Sequence, residues 1–131
     1  MGFLSVIIAA ACGFGFGAFW YMSLSKPWMR AVGIETREDG KPIGNGSSLP
    51  YLLATIAMLL VAGMMRHTFV LSGIDTPGKG LLSGLGIGLF FISPWIMINN
   101  AYGMRPFMLT LIDSGYATFG CGLIGLVLTL L

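Results

Sequence analysis

The stretch GLLSGLGIGLFFISPWIMI, residues 80–98, is uncharged from end to end and predicts a helix that crosses a membrane. A spanning helix needs about 20 mainly apolar residues to cross a hydrocarbon core roughly 30 Å thick. Three further stretches of this kind occur, and the mean hydropathy of the whole chain is +0.87. We therefore predict spanning helices over residues 2–25, 49–72, 77–102 and 106–131.

These four helices predict the fold class. The chain has 131 residues, too few for a second domain beside the helices. We predict an all-α fold: an integral membrane four-helix bundle, up-down and antiparallel, forming a single transmembrane domain over residues 1–131. A polar connection over residues 26–48 separates the first two helices. Pro94 lies in the middle of the third helix and predicts a kink there, because proline removes a backbone donor. We expect the neighbouring Trp95 to fill the bundle interior.

Charge and composition narrow the classes of function. Seven Lys and Arg against five Asp and Glu give a net charge of +2, which is too small to indicate a nucleic-acid partner. No zinc-ligand spacing, phosphate-binding loop or nucleophile elbow occurs, so we expect no enzyme, no metal and no cofactor. Cys12 and Cys121 both lie in apolar segments, which favours packing over a disulfide.

Small residues recur at four-residue steps in three of the segments. In membranes, such residues let helix backbones approach closely. The stripes are Ala9, Gly13 and Gly17 in the first segment, Gly80, Gly84 and Gly88 in the third, and Ala117, Cys121 and Gly125 in the fourth. Two interpretations stay open: packing within one protomer, or a seam where a second copy or another membrane protein docks.

Asp113 is the candidate functional residue, because a carboxylate at membrane depth is costly and often marks a functional site. At ~1.5 Å per residue it lies roughly 12 Å beyond Arg105. The antiparallel hairpin of the third and fourth helices places Asn99 at nearly the same depth, with Asn100 about 100° around the helix. The candidate intramembrane polar cluster is Asp113, Asn99, Asn100, Tyr116 and Tyr21. This cluster could lock the bundle through hydrogen bonds, or bind a proton, an ion or a cationic substrate.

Basic residues and aromatic anchors predict the orientation. One side of the membrane carries Lys26, Arg30, Arg37, Lys41 and Arg105, and the other carries Arg66 and Lys79. The first and third connections are therefore expected in the cytoplasm, with both termini outside it. The candidate anchors at the cytoplasmic interface are Trp20, Tyr21, Lys26, Trp28 and Arg30.

Two groups of motifs resemble a known family. The run Gly17-Ala18-Phe19-Trp20-Tyr21 is followed by Lys26-Pro27-Trp28-Met29, and Arg105-Pro106 is followed by Ile112-Asp113-Ser114-Gly115-Tyr116. Together they are similar to the signature of a family of small bacterial four-helix inner-membrane proteins, catalogued as a domain of unknown function. The resemblance implies a multi-pass protein of the bacterial inner membrane and assigns no activity.

Two hypotheses for the function follow. The first is an accessory or helix-packing subunit, whose partners are the lipid bilayer and either a homo-oligomer or a larger membrane-protein complex. It rests on the small-residue stripes. The alternative is a small proton- or ion-coupled transporter or channel that uses Asp113.

Overall fold

The computed structural model describes residues 2–33 and 48–131, and this part of the chain is helical with no strand. The helices are α1 (Phe3–Ser23), α2 (Ser25–Val32), α3 (Leu49–Ser72), α4 (Pro77–Gly86), α5 (Ser93–Tyr102) and α6 (Phe107–Leu130), and a π-helical turn (Ile87–Ile92) joins α4 to α5. Four spans are long and apolar enough to cross a membrane: α1, α3, α6 and the continuous Pro77–Tyr102. The all-α, four-span prediction is confirmed.

Local sequence signals account for several helix ends. Gly33 and Gly73 follow α2 and α3 with φ of 87° and 70°, the left-handed conformation that commonly ends helices and suits glycine. Thr76 precedes α4 and its hydroxyl accepts a hydrogen bond from the Lys79 amide, while Pro77 occupies the first turn. The predicted connection over 26–48 begins as α2, and its central part, 34–47, lies outside the described residues.

Helix α6 is the centre of the bundle, since it packs against all the other described helices. Residue numbers along α4 and α6 run in opposite directions where the two helices touch: Gly80 meets Gly125, and Gly88 meets Ala117. The contacts of α6 with α1 also run in opposite directions, from Gly13 beside Ile124 to Trp20 beside Ile112. Helix α6 is therefore antiparallel to both neighbours, while the up-down order across a membrane stays a prediction.

The third span changes its helical geometry immediately before Pro94. Ile87–Ile92 is π-helical, and the Ser93 amide donates to the Gly88 carbonyl five residues back. The Ser93 hydroxyl donates to the same carbonyl at 2.6 Å. A π-turn widens the helix by one residue and often occurs at functional positions. The predicted kink at Pro94 stays a prediction.

Trp95 does not fill the interior, and that expectation was wrong. Its side chain is 70% exposed, on the face turned away from the bundle. Ser93 is buried against α6, and a residue two positions later lies about 200° around an α-helix. Because Ser93 faces α6, Trp95 faces away from the bundle.

Candidate functional site

Three hydrogen bonds join α1 to α6 around the candidate carboxylate. The Tyr21 hydroxyl donates to Asp113 Oδ1 at 2.7 Å, and the Trp20 indole donates to the Ile112 carbonyl at 2.9 Å. The Tyr116 hydroxyl donates back to the Gly13 carbonyl at 2.9 Å. Each bond satisfies a polar group within an apolar span, where lipid chains offer no hydrogen-bond partner. The predicted pairing of Asp113 with Tyr21 is present in the structure.

The glycine stripe of α4 packs directly on the small-residue stripe of α6. A Cβ atom added at Gly84 would collide with the Cys121 carbonyl group, and one added at Gly88 would collide with the backbone of Ala117. Backbone atoms of a packed helix cannot move aside as a flexible side chain can. These two stripes are therefore used within one protomer.

The stripe of α1 is also covered by the same chain. A Cβ atom at Gly17 would lie 2.6 Å from the Tyr116 hydroxyl oxygen, and one at Gly13 would lie 2.9 Å from Ile124 Cδ1. Ala9 is fully buried. All three predicted helix-packing stripes thus face partners inside the bundle, which is the first of the two interpretations left open by the sequence.

A cavity of about 550 Å³ opens beside the carboxylate. Four polar or aromatic side chains form one part of its wall: Tyr21, Trp28, Asp113 and Tyr116. The remaining wall is apolar and comes from α3, the third span and α6, where it includes Met58, Ile96 and Ile124. Asp113 contributes the one acidic group among these lining residues.

Helix α2 contributes Trp28 and Val32 to the lining of this cavity. Its Trp28 ring packs edge-on against Tyr21, with ring centroids 5.8 Å apart and an interplanar angle of 74°. Trp28 and Asp113 both line the cavity. Arg105 Nη1 donates to the Val32 carbonyl at 2.8 Å, which ties the end of α2 to the connection before α6. The carboxylate thus accepts a hydrogen bond from Tyr21 and shares the cavity wall with Trp28.

The two asparagines do not join Asp113, contrary to the predicted cluster. Asn99 is exposed, and Asn100 Nδ2 donates to the Thr110 hydroxyl at 3.2 Å. The face of α5 turned towards α6 carries Ser93 and Asn100, seven residues apart, so Asn99 points about 100° away from it. Asn100 therefore lies one turn of α6 from the carboxylate, and Asn99 lies outside the cluster.

The predicted interface anchors divide into two groups. Lys26 and Arg30 are exposed on α2. The aromatic anchors turn inward instead: Tyr21 and Trp28 line the cavity, and Trp20 packs on Gly115, where a Cβ atom would lie 2.5 Å from its ring. The sequence carried one signal for this packing, the glycine in Asp113-Ser114-Gly115.

A second polar cluster, which is not among the predicted site residues, lies between the third span and α6. The Ser93 hydroxyl, bonded to Gly88, also lies 3.4 Å from the Thr118 hydroxyl, and Thr118 donates to the Ser114 carbonyl at 2.8 Å. The Ser114 hydroxyl is buried with no hydrogen-bond partner among the described residues. No group of three His, Cys, Asp or Glu side chains in the ranges 2–33 and 48–131 is placed to hold a metal ion.

Four spans that are long and apolar enough to cross a membrane surround a cavity with one carboxylate, and they define a class: a multi-pass membrane protein. The model of one family, described as protein of unknown function (DUF1761), matches residues 4–129. The chain therefore belongs to that family, and the expected membership of a family of unknown function is confirmed. No curated protein and no solved structure matches the chain.

Proposed function

We propose that the protein binds a small organic cation in the cavity beside Asp113 and passes it across or out of the membrane. One observation carries this proposal: a single carboxylate lies in a pocket whose other walls are aromatic and apolar. The volume of about 550 Å³ falls within the range of roughly 300–1,000 Å³ that is usual for ligand pockets.

The chemistry of the walls favours a cation over a neutral or anionic ligand. A carboxylate in a low-dielectric site attracts a positive charge far more strongly than it would in water. Tyr21, Trp28 and Tyr116 offer aromatic rings, whose faces attract cations. An ionised carboxylate would repel an anion and would offer a neutral ligand no comparable attraction. The proposed role involves binding and movement and no covalent step.

The positions of the basic residues support the expected sidedness. Arg105 bonds the end of α2, so the first and third connections meet at one end of the bundle, together with Lys26 and Arg30. In a bacterial inner membrane, this positive end would face the cytoplasm and both termini would lie outside it. The cavity would then lie nearer the cytoplasmic face, beneath α2.

Equilibrium binding of a defined cation tests the proposal. The purified protein in nanodiscs is titrated with radiolabelled methyltriphenylphosphonium, and triphenylphosphine oxide serves as a neutral competitor of similar shape. We expect saturable binding that Asp113→Asn weakens by about tenfold or more, the equivalent of ~1.4 kcal/mol. Asp75→Asn is the matched control, since Asp75 is an exposed carboxylate in the α3–α4 connection.

Two results would contradict cation binding at this site. Equal affinity of the wild type and a folded Asp113→Asn variant would show that the carboxylate takes no part in binding. Effective competition by the neutral phosphine oxide would show that shape, and not charge, determines binding. Flux of the same cation into proteoliposomes, measured as the excess over liposomes without protein, then separates transport from binding alone.

An accessory subunit remains the second proposal, with a different surface. The small-residue stripes no longer favour it, because they are packed inside the bundle. Helix α3 does offer an outer face: 11% of the residues in its apolar window are buried, against 39% in that of α6. A homo-oligomer or a larger assembly would use this face. Native mass spectrometry from membrane extracts tests it, and a lone monomer would count against it.

A further inference from the structure

A second, smaller cavity lies between α1 and α3. Its volume is about 340 Å³, and its lining includes Ile7, Phe14, Thr55 and Leu59. Ile7 and Leu59 are partly exposed on the outer surface of the bundle. At ~1.5 Å per residue, the wall from Ile7 to Phe14 extends from roughly 6 to 16 Å along α1. This cleft therefore opens sideways, at a depth where a spanning α1 is surrounded by lipid chains.

Met58 is the residue that both cavities share. Its side chain is half-buried and packs against Gly13, where an added Cβ atom would lie 3.1 Å from Met58 Sδ. The Tyr116 hydroxyl oxygen lies 3.4 Å from the same sulfur atom. Met58 thus forms the partition between the lateral cleft and the pocket that contains Asp113.

The partition is a movable one. Methionine is unbranched and has three rotatable side-chain bonds, so it can change position without movement of the backbone. Met58 packs against Gly13, which has no side chain to hold the methionine in place. A rotation of Met58 towards lipid would join the two cavities into one passage from the surface of α1 and α3 to the carboxylate.

We propose that the ligand of the central pocket is a lipid-soluble cation that enters from the bilayer through the α1–α3 cleft, past Met58. The inference rests on the proposed function and names its substrate class and route. The cleft suits a molecule already dissolved among lipid chains, because its lining is apolar apart from Thr55. The Thr55 hydroxyl is used within α3, where it donates to the Tyr51 carbonyl at 2.8 Å. Asp113 then selects those lipid-soluble molecules that carry a positive charge.

Binding kinetics of two cations test the route. Stopped-flow tryptophan fluorescence, to which the cavity-lining Trp28 contributes, follows methyltriphenylphosphonium and the water-soluble tetramethylammonium in nanodiscs. We expect Met58→Ala to raise the association and dissociation rates of the lipid-soluble cation severalfold. About tenfold is the upper limit, because a hydrogen bond such as that from the Tyr116 hydroxyl to the Met58 sulfur contributes at most about that factor. Met58→Trp should slow both rates.

The matched control is Met64→Trp, on the outer face of the same helix, where Met64 is 63% exposed. It should leave both rates at the wild-type values, and tetramethylammonium should be insensitive to Met58→Ala. Unchanged rates in both Met58 variants would overturn the route. So would an equal change for the two cations. If instead the wild type shows no Asp113-dependent binding of either cation, the proposed function itself has failed.

Discussion

Replacing Gly84 with alanine tests the packing that holds the third span to α6. The new methyl group would point at the backbone of α6, with its Cβ atom 2.8 Å from the Cys121 carbonyl carbon and 3.0 Å from Gly122 Cα. Carbon atoms in good contact are about 3.5–4.0 Å apart. The Cys121 carbonyl oxygen lies closer still, so the two helices would have to separate by roughly 1 Å at this point.

The cost follows from that separation. Overpacking of this kind costs about 1–3 kcal/mol, since tightly packed interiors cannot absorb an extra methyl group without strain. Gly88 and Gly80 make equally close contacts on either side, so the separation weakens the rest of the same stripe. We expect Gly84→Ala to lower the free energy of unfolding by about 1–3 kcal/mol.

Gly86→Ala is the matched control two residues along the same helix. No atom lies within 4 Å of a Cβ added there, and its φ of −63° and ψ of −41° suit alanine. This change should be neutral or stabilise by up to about 1 kcal/mol, through helix propensity. Unfolding of both variants is followed by circular dichroism as a denaturing detergent is titrated into mixed micelles. Equal stability of the two variants would refute the register of α4 on α6.

Two further predictions concern side chains and are tested in the same micelles. Trp20→Phe should lower the free energy of unfolding by about 0.5–1.5 kcal/mol, because it removes a hydrogen bond to the neighbouring helix. The control Trp95→Phe, at an exposed site, should change it by less than about 0.5 kcal/mol. Equal effects of the two changes would contradict the inward placement of Trp20. Arg105→Gln should speed hydrogen exchange in α2 severalfold, because the Val32 carbonyl loses a charged donor worth about 0.3–1 kcal/mol. Lys79→Gln is the control, and equal exchange in both variants would count against that tie.

The spans and their small-residue stripes could be predicted because each depends on short-range pattern alone. Length and apolar content define a span, and four-residue steps define a helix face, as at Gly84 and Gly88. The pairing of Asp113 with Tyr21 also follows from depth, since the two residues lie at similar distances from the same membrane face. None of these predictions requires knowledge of which helix is the neighbour.

The facing of individual side chains could not be predicted for the third span. A helix that is apolar all round carries no amphipathic pattern, so its inward face is undetermined until its partner is known. For this reason the inward positions expected for Trp95 and Asn99 differ from their exposed positions in the structure. The place of Trp28 beside Asp113 depends on the path of α2, and the partition at Met58 depends on how three helices meet.

The central place of α6 has a consequence for biosynthesis. It follows the other three spans in the chain, so it is the last of the four to be synthesised. Until it is present, the glycine face of α4 has no packing partner and Tyr21 has no carboxylate to bond. Insertion of the fourth span would therefore supply the contacts that hold the third span and α1 together.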